Sequence, residues 1–169
     1  KTIENISLTL RSGEILGIAG LVGSGRTELA LTIFGVTPAT AGKIKVAGQE
    51  VTIDSPRQAR DLGLAYVPED RGIQGLVKPQ NIAQNIAHTI LKKVSRMFLM
   101  DRRAEEEIAQ DSIHRLGIRG GGPAQRVRQL SGGNQQKVVL AKWLATQPEI
   151  LIMDEPTRGI DVGAKSEIH

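Results

Sequence analysis

The spacing of hydrophobic and polar positions changes several times along the chain. Ile6, Leu8 and Leu10 alternate with Ser7, Thr9 and Arg11 ahead of Ser12-Gly13, which predicts a strand and then a turn. Residues 14–19 are almost wholly apolar, the pattern of a strand buried on both faces of a parallel sheet. A glycine-rich stretch at 20–25 follows, and then a helix over 26–34 that ends near Gly35. Residues 43–46 and 51–53 predict short strands around a turn at Gly48. Ser55-Pro56 opens a brief helix, with Pro at its first position, that Gly63 stops after Leu62. Residues 64–67 predict another buried strand. Residues 81–92 and 101–116 have helical spacing, the second with Ile108, Ile113 and Leu116 as its apolar stripe. Gly120-Gly121-Gly122-Pro123 breaks the chain, Ser131 caps a helix reaching about Ala145, and 150–153 is a last apolar strand. Strands interleaved with helices predict an α/β fold with a mostly parallel sheet.

Composition narrows the function classes. The 169 residues suit one domain, and 40% hydrophobic with 24% charged residues is globular usage. The longest apolar run, residues 15–22, is too short for a membrane span, which needs about 18 residues. With no Cys, disulfides and thiolate chemistry are excluded, and three scattered His make a zinc site unlikely to arise from this spacing. The net charge of +4 reads as ordinary surface charge rather than a nucleic-acid footprint. Single-strand binders stack bases on aromatic rings, and only Phe34, Tyr66, Phe98 and Trp143 are present. Glycine, at 19 residues, is enriched and clustered.

The clusters carry the chemistry. Gly20-Leu21-Val22-Gly23-Ser24-Gly25-Arg26-Thr27 lies between an apolar strand pattern and a helix, where a phosphate-binding loop belongs. Its glycines let successive N–H groups turn inward, and the helix adds its positive end. Thr27 places a hydroxyl where Mg²⁺ would sit. Arg26 stands where the G-x4-G-K-[ST] pattern has Lys, and a planar guanidinium does not replace a compact ammonium in a tight site. Ser131-Gly132-Gly133-Asn134 opens a helix with two glycines that cost helix propensity, which makes sense where a phosphate must approach the backbone. Asp154 and Glu155 end the last apolar strand. Asp154 suits Mg²⁺, and Glu155 suits a water-activating base. Asp161 follows in Arg158-Gly159-Ile160-Asp161.

Taken in order, the loop at 20–27, Leu130-Ser131-Gly132-Gly133-Asn134-Gln135-Gln136 and Asp154-Glu155-Pro156-Thr157-Arg158-Gly159-Ile160-Asp161 resemble the nucleotide-binding domain of an ABC-type ATPase over essentially the whole chain. Val67-Pro68-Glu69-Asp70-Arg71 with Gly75-Leu76 makes it similar to the C-terminal ATP-binding domain of the ATPase subunit in bacterial simple-sugar importers, the ribose, galactose, xylose and autoinducer-2 type. The resemblance implies a P-loop NTPase core with a mostly parallel sheet, antiparallel strands near the N-terminus and a helical subdomain over about 77–130. It implies one nucleotide-binding domain over 1–169 that continues past both ends. Arg26 is the subfamily's usual variant, and Glu69 falls at the Q-loop position.

The resemblance further implies ATP and Mg²⁺ as cofactors. Gly20, Gly23, Ser24, Gly25, Arg26 and Thr27 would bind the nucleotide, Thr27 and Asp154 the metal, with Glu155 catalytic and Asp161 in the D-loop. Ser131, Gly132, Gly133 and Asn134 would contact in trans an ATP held by a second nucleotide-binding domain, the N-terminal half of the same polypeptide. The remaining implied partners are transmembrane permease subunits and, indirectly, a periplasmic sugar-binding protein, at the cytoplasmic face of the bacterial inner membrane, with no nucleic acid. The switch His of the family would lie beyond His169, and the adenine-stacking aromatic before Lys1. Two alternatives share these motifs: an ABC ATPase acting on DNA or ribosomes, and a nucleotide-binding coupling module that does not hydrolyse.

Overall fold

The computed structural model describes residues 3–97 and 99–160. It resolves into two compact units, 1–62 and 63–169.

In the first unit, helix α1 spans Arg26–Ile33. Its end turns through Phe34 and Gly35, where Val36 N donates to Leu31 O at 2.9 Å. Gly35 has φ +73°, and a Cβ there would lie 2.8 Å from Ile53 Cγ2 and 2.9 Å from the Ser55 backbone, so only glycine closes this helix. Strands β1 (Ile44–Val46) and β2 (Gln49–Val51) form an antiparallel hairpin with Val46 opposite Gln49. The two residues between them, Ala47 and Gly48, both have positive φ, 49° and 80°, as a turn matching strand twist requires. That turn geometry sets β2 two residues earlier than the sequence spacing suggests. Helix α2 (Pro56–Asp61) is capped by Ser55, whose hydroxyl accepts from Gln58 N.

Residues 6–10 and 14–19 form no strand, contrary to the sequence pattern, and Ile15 is almost fully exposed. A strand exists through the ladder it shares with a neighbour. Among the described residues the named ladders are β1–β2, β3–β6 and β4–β5. The backbone near 11–14 bonds to itself instead: Glu14 N donates to Arg11 O, and Arg11 N to the Glu14 carboxylate.

The second unit is built on β3 (Leu64–Val67) running parallel to β6 (Ile150–Met153), with Leu64 opposite Ile150 and Val67 opposite Met153. All four β3 residues are buried, as a central parallel strand requires. A π-helical turn, Arg71–Gly75, precedes helix α3 (Ile82–Ala87). A small hairpin, β4 (Ser95–Arg96) and β5 (Leu99–Met100), leads to helix α4 (Arg102–Leu116). A 3₁₀ turn at Val127–Gln129 leads to helix α5 (Gly132–Leu144).

Side chains fix these boundaries. Asn81 and Gln84 form a reciprocal capping box on α3, at 2.8 and 3.1 Å. Asp101 caps α4, and Gly117 ends it in a left-handed conformation, with Ile118 N bonded to Ile113 O at 3.0 Å. The α3 helix is shorter than the expected 81–92, because past His88 the chain tightens into turns and Thr89 bonds the Lys142 carbonyl of α5. Helices α3, α4 and α5 bury Ile82, Ile86, Ala109, Val138 and Val139 against Val67 and Val127. The buried Asn85 amide is satisfied inside this core, accepting from Val77 N and donating to the Val77 and Asn81 carbonyls.

Ile86→Ala removes a side chain that is 1% exposed and is expected to cost about 3 kcal/mol. Ile73→Ala, at an 82% exposed position, should change stability by less than about 0.5 kcal/mol. Urea midpoints of the two variants, at unchanged slope, check the contrast.

Candidate nucleotide and signature sites

The glycine-rich loop at 20–27 lies in the first unit. Gly23 and Gly25 both take left-handed φ, 75° and 102°, and Gly25 occupies the N-cap of α1. Gly25, having no side chain, makes no side-chain cap to that helix. Ser24 N donates to Leu21 O at 3.0 Å and folds the loop back on itself. Gly20 lets Ser24 approach: a Cβ at 20 would sit 2.7 Å from the Ser24 hydroxyl. Arg26 and Thr27 occupy the first two helical positions. Left-handed glycines thus open the N-terminus of α1.

The carboxylates and the signature lie in the second unit. Asp154 follows β6 directly, is 8% exposed, and continues the parallel ladder through its N–H to Val67 O at 2.9 Å. The Tyr66 hydroxyl of β3 donates to Asp154 Oδ2 at 3.2 Å. Burial, the adjacent Asp154 charge and this hydrogen bond all raise the phenol above its ordinary range, which keeps its proton on as a donor. Glu155 is exposed at φ 42°, a left-handed conformation uncommon for a side chain of this kind, and its carbonyl accepts from Arg158 N at 3.0 Å. Backbone in this region costs on the order of 1–3 kcal/mol and persists where surrounding structure requires it.

Ser131 caps α5. Its Oγ accepts from Asn134 N and from Asn134 Nδ2, the latter at 2.9 Å, which leaves the hydroxyl proton for an outside acceptor. The Asn134 carbonyl oxygen accepts from Arg119 N at 2.7 Å and ties the helix start to the chain after α4. Gly133 is buried. A Cβ on Gly132 would lie 2.7 Å from Arg71 Nη2, so this glycine admits a side chain of its own protein.

The sequence pattern of ABC transporters matches residues 3–158. The chain belongs to the ABC transporter family. It is 52% identical over 166 residues to the ribose import ATP-binding protein RbsA of Jannaschia sp. (strain CCS1), covering 98% of this chain and 32% of that protein. Identity is 50% over 165 residues to RbsA 2 of Rubrobacter xylanophilus, with the same two coverages. It is 46% over 166 residues to RbsA of Halalkalibacterium halodurans, covering 98% of this chain and 33% of the relative. The chain thus spans about a third of the length of these curated relatives. In fold it is similar to the ATP-binding cassette MJ0796, solved as a dimer in a post-hydrolysis state with ADP and phosphate. The TM-score is 0.77 at 22% identity, covering 95% of this chain and 68% of that one. The fold is that of an ABC ATPase, an α/β P-loop NTPase.

Within this ABC fold the parallel pair β3–β6 brings Asp154 to Tyr66, and Glu69 forms an ion pair with Arg158. Ser131 through Asn134 gather at the start of α5. Gly20 through Thr27 gather at the start of α1 in the other unit. Asp161 lies outside the described residues.

Sequence reasoning gave no site role to Tyr66, Arg71 or Lys142. Tyr66 reads as one more apolar strand residue, although a lone Tyr in a fully buried strand signals a polar partner. Arg71 Nη1 and Nη2 donate to the carbonyls of Arg158 and Gly159, at 3.0 and 3.3 Å. Lys142 donates to the Gly75 carbonyl, and a Cβ at Gly75 would lie 2.8 Å from Val139 Cγ2, so the 71–75 turn is seated on α5. Burial lowers Lys142 from 10.5 to about 8.

Two measurements follow. Tyr66→Phe leaves a buried carboxylate oxygen without its donor and is expected to lower stability by about 1–2 kcal/mol in urea unfolding. Between pH 8 and 10 the unfolded chain binds a proton at Lys142 that the folded chain does not, so stability rises with pH across this window. Lys142→Met should flatten that rise in unfolding measured at successive pH values. Above about pH 10 the raised Tyr66 acts in the opposite sense, because the phenol ionises first in the unfolded chain.

Proposed function

We propose that this chain is the C-terminal nucleotide-binding domain of the ATP-binding subunit of a ribose-type sugar importer, 1–169 forming part of that one domain with 77–130 as its helical subdomain. The observation that carries the reading is the joint presence of a helix opened by left-handed glycines at Arg26-Thr27, a Ser131-capped helix that begins with two glycines, and a left-handed Glu155 just after Asp154. Identity of about 50% to RbsA proteins over 98% of the chain supports sugar import over the DNA-directed and ribosome-directed alternatives.

The loop at 20–27 binds ATP phosphates through its backbone N–H groups, and Arg26 adds a guanidinium to them. Thr27 and Asp154 would each offer an oxygen to Mg²⁺, whose charge would neutralise the phosphate oxygens. Glu155 orients water for attack and accepts its proton. Ser131, Gly132 and Gly133 contact in trans an ATP on the N-terminal domain of the same polypeptide, with the Ser131 hydroxyl and the first N–H groups of α5 as donors. Arg26 makes the chain's own nucleotide site the weaker hydrolytic one, so the pair is asymmetric. In this reading the domain works as a peripheral motor on the cytoplasmic face of the inner membrane. Its helical subdomain faces the permease, and the periplasmic sugar-binding protein acts on it only through that permease. Among the described residues no helix is long and apolar enough to cross a membrane.

The test is ATP turnover in the full two-domain protein. Ser131→Arg is expected to remove most turnover, on the order of 10²-fold, by blocking the stronger site. Arg26→Lys is expected to raise it, and Glu155→Gln to retain ATP at the chain's own site. Unchanged turnover in both Arg26→Lys and Ser131→Arg would sink the asymmetric assignment.

A further inference from the structure

Two arginines cross-link the same two segments of the second unit in opposite directions. Arg71, at the head of the π-helical turn, sends both terminal nitrogens to the carbonyls of Arg158 and Gly159. Arg158 sends its guanidinium back to Glu69, just before that turn. Arg71 also passes the start of α5, where a Cβ at Gly132 would lie 2.7 Å from its Nη2 and 3.5 Å from the Gly159 carbonyl oxygen. Its Nε is buried without a hydrogen-bond partner among the described residues, so the side chain is held by its two terminal contacts.

The turn that carries Arg71 is itself fixed. Asp70 accepts from Gly72 N and Ile73 N, at 2.8 and 3.0 Å, and Lys142 of α5 grips the Gly75 carbonyl. The bonded carbonyls belong to the segment that begins with Glu155, whose left-handed backbone must be held against its own strain. Carbonyl acceptors are common partners of arginine. What is particular here is that one guanidinium bonds the loop behind Glu155 and also lies beside Gly132 at the start of α5.

We propose that Arg71 is a positioning residue. Together with the Glu69–Arg158 ion pair, it locks the 155–160 loop to the start of the signature helix, so that the two catalytic faces of the domain move as one piece with the segment at Glu69. The proposal rests on the importer reading for its effect on turnover, but its structural content does not.

The experiment uses the full-length two-domain protein with its permease, in wild type, Arg71→Met and Arg71→Lys forms. Hydrogen exchange is read at residues 157–160 and 132–135, with the α4 amides as an internal reference. Arg71→Met is expected to accelerate exchange at both segments by roughly tenfold with α4 unchanged, the equivalent of losing about 1.4 kcal/mol of local protection. It is also expected to lower kcat by on the order of tenfold while KM for ATP stays within about twofold, because a displaced carboxylate costs turnover rather than ground-state binding. Arg71→Lys, which keeps one donor, should fall between. Glu69→Arg combined with Arg158→Glu should recover turnover lost by either substitution alone. Unchanged exchange at 157–160, or a kcat that falls only in proportion to lost folded protein, overturns the proposal. A wild-type transporter without sugar-dependent ATP turnover defeats the importer reading instead, and the exchange result still decides whether Arg71 braces the loop.

Discussion

The second unit depends on one parallel pairing, Leu64–Val67 against Ile150–Met153. Parallel strands deliver their carboxyl ends to the same edge, so the chain leaves both strands side by side. From one it emerges into Glu69 and Arg71, from the other into Asp154, Glu155 and Arg158. The Asp154 N–H bonded to Val67 O carries the ladder one step beyond the strand and fixes the height of the carboxylate. A register slip of one residue would turn Tyr66 to the other face and take its hydroxyl away from Asp154 Oδ2.

Helix α5 converts that edge into a site. Its N-terminus carries the signature residues, its middle contributes Val138 and Val139 to the core, and Lys142 near its end holds the turn that follows Glu69. One helix therefore spans from the Ser131 cap to the segment that reaches toward the ion pair. Local conflicts collect around it: a double glycine in a first turn, a left-handed Glu155, a lysine in a buried setting and a π-helical turn in place of an ordinary one. Each is unfavourable in isolation, and in an ABC domain they concentrate where geometry matters to turnover.

Most elements were legible because they are punctuated locally. Pro56 after Ser55, the Asn81–Gln84 pair, Asp101, Gly117 and Ser131 act on their own helix ends, and all fall within a residue or two of the expected boundaries. The strands expected at 6–10 and 14–19 fail for the complementary reason. An alternating or apolar run states a willingness to pair, but a ladder needs a second strand, and none is paired with these residues among the described ones. The β1–β2 hairpin shows the same limit on a smaller scale, since its register follows the positive φ of Ala47 and Gly48 rather than the apolar spacing.

The glycines at 20, 23, 25, 132 and 133 and the acids at 154 and 155 are set by the sequence alone, because their chemistry follows from residue type at fixed spacing. So is the family they mark. Only the tertiary structure decided the partners: that Tyr66 meets Asp154 across 88 positions, that Glu69 meets Arg158, and that Gly132 makes room for Arg71 as well as for backbone approach. The reason is physical. Spacing along a chain fixes which groups share a turn or a strand, whereas a contact between distant segments depends on a sheet register and a helix position that no local pattern contains.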